Sequence, residues 1–225
     1  MGGNNTQLSF CQFWNRSFAV SCFPPTWYIF QRLGGVLAFI AYKIGLSPNM
    51  ITLLGGLTGT YAIWQFSVLP LGILETIHLS LMFSIVYILD CADGQLARAT
   101  GKTTPIGKWF DIAVDLILIV LFPLGIASLL PGSFSEIDTN LMVSCLILGR
   151  ALVLLTSFLK RSGGEDHHPS SSYLKKFIQS TLDTPVFYIW ICWARLNPEW
   201  LVMSVLFFGV LYILESIYLS RTFFK

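Results

Sequence analysis

Between residues 51 and 89 the chain carries one formally charged side chain, Glu75, and residues 116–135 carry none. Between those runs, four of its seven aspartates fall within 26 residues, in the stretch DCADGQLARATGKTTPIGKWFDIAVD. Apolar runs of that length are read as helices that close their backbone hydrogen bonds internally in lipid. Carboxylates at the ends of such helices are costly unless they are paired or bound to metal. The two facts together point to a helical membrane protein with an acidic site between its second and third spans. Composition agrees, at 54% hydrophobic and 12% charged residues, where soluble domains carry roughly 25% charged residues. The net charge of +2 gives no footprint for a nucleic-acid partner.

The hydropathy pattern predicts an all-α integral membrane fold with six transmembrane helices, near 48–67, 71–98, 106–130, 139–160, 177–196 and 199–220. Pro70, Gly101 to Pro105, and Pro131–Gly132 separate the early spans, and Pro105 suits a first helical turn. Residues 1–45 read as an N-terminal interfacial arm, and residues 46–225 as the six-span domain. The arm interleaves Phe13, Trp14, Phe18, Trp27, Tyr28 and Phe30 with Arg16 and Arg32, a mixture suited to the membrane interface. Pro24 and Pro25 break it, so a short amphipathic helix is expected near 26–44. With six spans, every Lys and Arg except Arg195 and the intramembrane Arg150 falls on one side. By the positive-inside rule that side is cytoplasmic, and it holds both termini and the aspartates. The five scattered cysteines read as reduced small hydrophobes.

Asp90 and Asp93 stand at i and i+3, and Asp111 and Asp115 at i and i+4, so each pair shares one helix face. A short link at 99–105 makes their helices antiparallel neighbours and brings four carboxylates to one depth. Alone they would repel; divalent cations resolve the conflict. All-oxygen ligation favours Mg²⁺ or Mn²⁺, with Ca²⁺ possible. Two ions about 3.5–4 Å apart would suit phosphoryl chemistry. Gly94 removes a side chain beside the site, Ala97 is small, Arg98 offers a planar fork for a diphosphate, and Gly107 makes room for a flat base.

The pattern Asp90-x-x-Asp93-Gly94-x-x-Ala97-Arg98, eight residues, then Gly107-x-x-x-Asp111-x-x-x-Asp115 resembles the signature of the CDP-alcohol phosphotransferase family. SPNMIT at 47–52 resembles that family's first-span entry. The resemblance implies metal ligation by Asp90, Asp93 and Asp111, with Asp115 as a further ligand and the general base. It implies a CDP site formed by Asn49, Thr52, Gly94, Ala97, Arg98, Thr104 and Gly107. It also implies two metal ions, a CDP-linked lipid or alcohol as substrate, a lipid partner in the membrane, and a homodimer.

The acceptor is less defined. Arg150 lies ten residues before Lys160, about 15 Å deeper along a helix. An intramembrane arginine marks a functional position. The resemblance implies that Arg150, Lys160 and Arg161, basic residues of a later span, face a phosphorylated acceptor; an Arg150–Glu215 pair and an interfacial anchor at Lys160 and Arg161 are the alternatives. The leading expectation is transfer of a phosphatidyl group from CDP-diacylglycerol to a polar alcohol, phosphorylated or free, with release of CMP. A CDP-choline or CDP-ethanolamine donor acting on diacylglycerol is the second reading. A cation transporter using the aspartates as its path is a distant third.

Overall fold

The computed structural model describes residues 8–18, 24–130, 136–162 and 182–220. These residues are helical, with no strand among them. In chain order the helices are α1 (Phe10–Ser17), α2 (Gln31–Lys43), α3 (Pro48–Val68), α4 (Ile73–Thr100), α5 (Pro105–Ala127), α6 (Glu136–Ser162), α7 (Thr184–Ala194) and α8 (Pro198–Ser220). A π-helical turn, Thr26–Phe30, leads directly into α2.

Among the described residues, four stretches are long and apolar enough to cross a bilayer: α4, α5, Asp138–Leu159 within α6, and α8. Two of the six expected spans fall short of that description. The first corresponds to α3, whose 21 residues are diluted by Gly55, Gly56, Gly59 and four polar side chains between Thr52 and Gln65. The fifth corresponds to α7, an 11-residue apolar helix, and the segment before it lies outside the described residues. The outward faces of the long helices display Leu57, Trp64, Leu74, Leu81, Leu148 and Leu206. Apolar surface on this scale suits lipid rather than water.

The glycines of α3 face its neighbours. A Cβ at Gly59 would stand 2.9 Å from Leu118 and 3.3 Å from Val86, and one at Gly56 would stand 2.9 Å from Val114. Close approach through small residues is a common way for helices to associate in lipid. Thus α3 packs on both α4 and α5, while α4 and α5 have few contacts with each other. On the opposite flank α6 runs along α8, and α7 packs against α4.

The arm also lies on α4. Phe13 packs edge-on to Phe39 and beside Tyr42, and both α1 and α2 contact α4. A buried cluster of Phe13, Ala38, Ala41, Ala92, Leu96 and Ala99 joins the three helices. The exposed side of the arm carries Ile29, Leu33, Val36 and Ile40, at helical spacing.

A Cβ at Gly34 would meet the Cys91 Cβ at 2.8 Å and the Ala92 backbone nitrogen at 3.3 Å. In an open helix Gly→Ala is favourable by about 1 kcal/mol. Here crowding against Cβ and backbone reverses the sign, so Gly34→Ala should destabilise by about 1–3 kcal/mol. Thermal unfolding in detergent should show a lower midpoint; an equal or higher one would contradict this close crossing.

Candidate active site

The link between α4 and α5 is fixed by backbone chemistry. Gly101 takes φ +67°, which the αL turn after a helix favours, and the Lys102 N–H closes it on the Ala97 carbonyl at 2.9 Å. Two residues later, Thr104 caps α5 by accepting a hydrogen bond from the Gly107 N–H at 3.0 Å, with Pro105 in the first turn. The chain therefore reverses within a few residues, and the carboxylates of the two helices meet.

Asp90, Asp111 and Asp115 place one carboxylate oxygen each within 4.8 Å of one another. All three are half-buried. At an effective dielectric near 20, two full charges at that distance repel by about 3–4 kcal/mol. Three hard oxygen donors from two helices, partly shielded from water, fit a divalent cation such as Mg²⁺, Mn²⁺ or Ca²⁺. That donor set supports a metal; it does not select the ion.

Asp93 has a different setting. It is 5% exposed, and the Thr52 hydroxyl donates to its Oδ2 at 2.5 Å. Thr52 thus orients an acidic side chain directly behind the trio. Gly94 leaves the space over which Arg98 folds: a Cβ there would sit 3.1 Å from Arg98 Nη1. Arg98 Nε donates to the Ser17 carbonyl at the end of α1, at 2.8 Å. Gly107 lies between Thr104 Oγ1 and Asn49 Oδ1, which a Cβ would meet at 3.0 and 3.2 Å. Asn49 and Thr104 are exposed and Ala97 is half-buried. Asn49, Gly107 and Thr104 therefore stand together where α3 and α5 begin, and Gly94 and Arg98 stand together on α4.

Below the carboxylates the gap between α4 and α5 is closed by rings. Phe83 and Phe122 stand 5.0 Å apart, Phe66 and Phe122 5.1 Å. Tyr188 of α7 stacks on Phe83 at 4.9 Å and meets Phe122 at 4.8 Å. Arg150 enters this layer from α6. It is 6% exposed, with its guanidinium carbon 4.6 Å from the Phe187 ring centroid, 4.9 Å from that of Tyr188 and 5.7 Å from that of Tyr212. Such cation–π contacts hold a charge where water is scarce. Rings, rather than Glu215, surround the guanidinium, and its Nη1 has no hydrogen-bond partner among the described residues. Lys160 and Arg161 belong to the last turn of α6, and their side chains lie outside the described residues. The adjacent loop containing His167 and His168 also lies outside them.

Sequence reasoning missed the aromatic box around Arg150, the Thr52–Asp93 bond, and the part Asp183 plays. The box comes from α7 and α8, remote along the chain, and aromatic residues there read simply as apolar. Thr52 stands four residues after Pro48, whose carbonyl its hydroxyl also reaches at 3.2 Å, and a local bond of that kind gives no sign of the second target. Arg195 donates to the Leu69 and Pro70 carbonyls at 2.6 and 3.3 Å, tying α7 to the end of α3 on the far side of the bundle from the carboxylates.

Several apolar helices enclosing a carboxylate cluster describe a multi-pass membrane protein with a metal-competent site. Residues 45–215 match the model of the CDP-alcohol phosphatidyltransferase family. The chain belongs to that family, whose members are transferases of phosphate-containing groups in phospholipid synthesis. It is 31% identical over 97 residues to the archaetidylinositol phosphate synthase of Pyrococcus horikoshii, covering 43% of this chain and 47% of that protein. It is 32% identical over 88 residues to the enzyme of the same name from Aeropyrum pernix, covering 38% and 42%. Each match spans less than half the length of the relative.

Proposed function

We propose that the protein transfers a phosphatidyl group from CDP-diacylglycerol to a phosphorylated polar alcohol and releases CMP. The observation that carries this reading is the convergence of Asp90, Asp111 and Asp115 within 4.8 Å, beside Arg98 and above a buried Arg150. The family and the archaetidylinositol phosphate in both relatives' names support it. They favour an inositol phosphate or a similar polyol phosphate as acceptor.

In this reading the acceptor hydroxyl oxygen attacks the lipid-bearing phosphorus. The bond from that phosphorus to the bridging oxygen breaks, and CMP departs with the bridging oxygen. Asp115 accepts the hydroxyl proton, as a carboxylate beside the attacking group can. Asp90, Asp111 and Asp115, with Asp93 held behind them by Thr52, would hold one or two Mg²⁺ or Mn²⁺ ions. Bound ions would neutralise charge on the diphosphate and on departing CMP. Arg98 orients the diphosphate over Gly94. Asn49, Thr52, Ala97, Thr104 and Gly107 border the cytidine. Arg150 Nη1 meets the acceptor phosphate, with Lys160 and Arg161 drawing it in. The proposal extends to six spans, an interfacial arm over residues 1–45, a cytoplasmic site with both termini on that side, and a homodimer.

The test is CMP release by purified protein, crossing CDP-diacylglycerol, CDP-choline and CDP-ethanolamine with inositol phosphate, glycerol phosphate, serine and diacylglycerol. CMP and a phosphatidyl-polyol phosphate, identified by mass, are expected only with CDP-diacylglycerol and a phosphorylated alcohol. Release confined to CDP-choline or CDP-ethanolamine with diacylglycerol would reverse the assignment of donor and acceptor. Arg150→Ala should raise KM for the phosphorylated acceptor by roughly tenfold or more, the loss expected for a charge-assisted hydrogen bond. KM for CDP-diacylglycerol should change much less; equal shifts would remove Arg150 from the acceptor pocket.

A further inference from the structure

Asp183 precedes the first turn of α7 and is 1% exposed. Its carboxylate makes no cap hydrogen bond to α7; besides the neighbouring Thr184 backbone, it faces the arm. It receives the Thr26 hydroxyl, at 2.7 Å to Oδ1 and 2.8 Å to Oδ2, and the Thr26 backbone N–H at 2.9 Å. Thr26 Oγ1 also lies 3.0 Å from the Tyr87 hydroxyl. Tyr87 stands three residues before Asp90 on α4, and its ring meets Phe30 edge-on at 5.2 Å. One threonine in the arm is thus gripped by α7 and touches the helix that carries the aspartates.

Thr26 opens the π-helical turn that runs into α2. Beyond it, Gln95 Nε2 donates to the Gln31 carbonyl at 2.7 Å, and Gly34 crosses Cys91 with no room for a side chain. Helix α1 rides on α2 through Phe13, Phe39 and Tyr42, and the Leu8 N–H donates to the Tyr42 hydroxyl at 2.9 Å. At its end, the Ser17 carbonyl receives Arg98 Nε. An unbroken series of packed contacts therefore runs from Asp183 to the guanidinium that the proposed reaction assigns to the diphosphate.

We propose that Asp183 and Thr26 form a latch that fixes the arm on α4 and so positions Arg98 for the CDP diphosphate. Both are positioning residues; neither touches substrate. The arm accounts for most of the partners of this buried carboxylate, because Thr26 donates to both of its oxygens. The proposal rests on the donor half of the function proposed above.

The test compares wild type with Thr26→Val, Asp183→Asn and Thr26→Ser, all as full chains in detergent. Amide exchange over residues 10–17 and 31–37 reports the arm, calorimetric titration with CDP and Mg²⁺ reports the diphosphate site, and CMP release gives kcat and KM. Thr26→Val and Asp183→Asn should exchange faster over both segments. They should also weaken CDP binding and raise KM for the CDP-lipid by roughly fivefold to tenfold, as for a lost hydrogen bond to a charged group, with kcat within about twofold. Thr26→Ser restores the hydroxyl and should return all three values to wild type. Faster exchange with unchanged CDP affinity would overturn the positioning role, as would a fall in kcat at constant KM. Unchanged exchange in Thr26→Val, the milder variant, would overturn the latch itself. Should wild type neither bind CDP nor release CMP, the proposed reaction fails, and the link to Arg98 fails with it. The exchange data would then still decide whether Asp183 holds the arm.

Discussion

Asp115→Asn should leave the protein folded and lower CMP release by roughly 10²–10⁴-fold, the range for removal of a positioned general base. Asparagine keeps the shape of the side chain and half of its acceptor capacity. It removes the negative charge that binds a cation and the basicity that takes a proton. Asp115 is half-buried at the edge of a cluster, so the substitution relieves repulsion with Asp90 and Asp111, and the thermal midpoint in the absence of metal should stay level or rise. Low activity with preserved stability separates a functional carboxylate from a structural one. Turnover near wild type would remove Asp115 from both of its proposed roles.

Chelation should have an effect of similar size. Incubation with EDTA followed by desalting should abolish CMP release, and Mg²⁺ or Mn²⁺ should restore it. The physical basis is the repulsion among three carboxylates within 4.8 Å of one another, which a divalent ion converts into attraction. The same ion should raise the thermal midpoint of the chelated protein, because a ligand that binds only the folded state stabilises it by mass action. Asp111→Asn should blunt that shift. An enzyme indifferent to chelation, or a midpoint indifferent to Mg²⁺, would refute the metal assignment.

The parts of this fold legible in the sequence are those encoded locally. Gly101, Thr104 and Pro105 announce the reversal between α4 and α5 because a left-handed turn, a cap and a fixed φ each demand a residue type. The spacing of Asp111 and Asp115 puts both on one face of α5, and the short reversal lets that face meet Asp90 of α4. What the chain does not announce locally is partnership across long separations. Asp183 and Thr26 are 157 residues apart, and neither stands in a pattern that names the other. Arg150 is legible as an anomaly in an apolar helix, but its rings come from α7 and α8. Helix α3 reads as a span of middling hydropathy because it exchanges apolar side chains for glycines that let α4 and α5 approach. The family signature covers both helices of the site and is silent about how the arm grips them.

The layer of rings beneath the carboxylates has a consequence for the direction of traffic. Phe66, Phe83, Phe122 and Tyr188 pack against one another about two helical turns from the carboxylates on α4 and α5. Under the proposed reaction, a donor with its diphosphate at the carboxylates would keep its acyl tails in the same half of the bilayer, and the product would inherit that placement. Water-soluble CMP must leave by the route through which the headgroup entered. The protein would therefore build lipid in a single leaflet, and redistribution of the product to the other leaflet would fall to a separate flipping step.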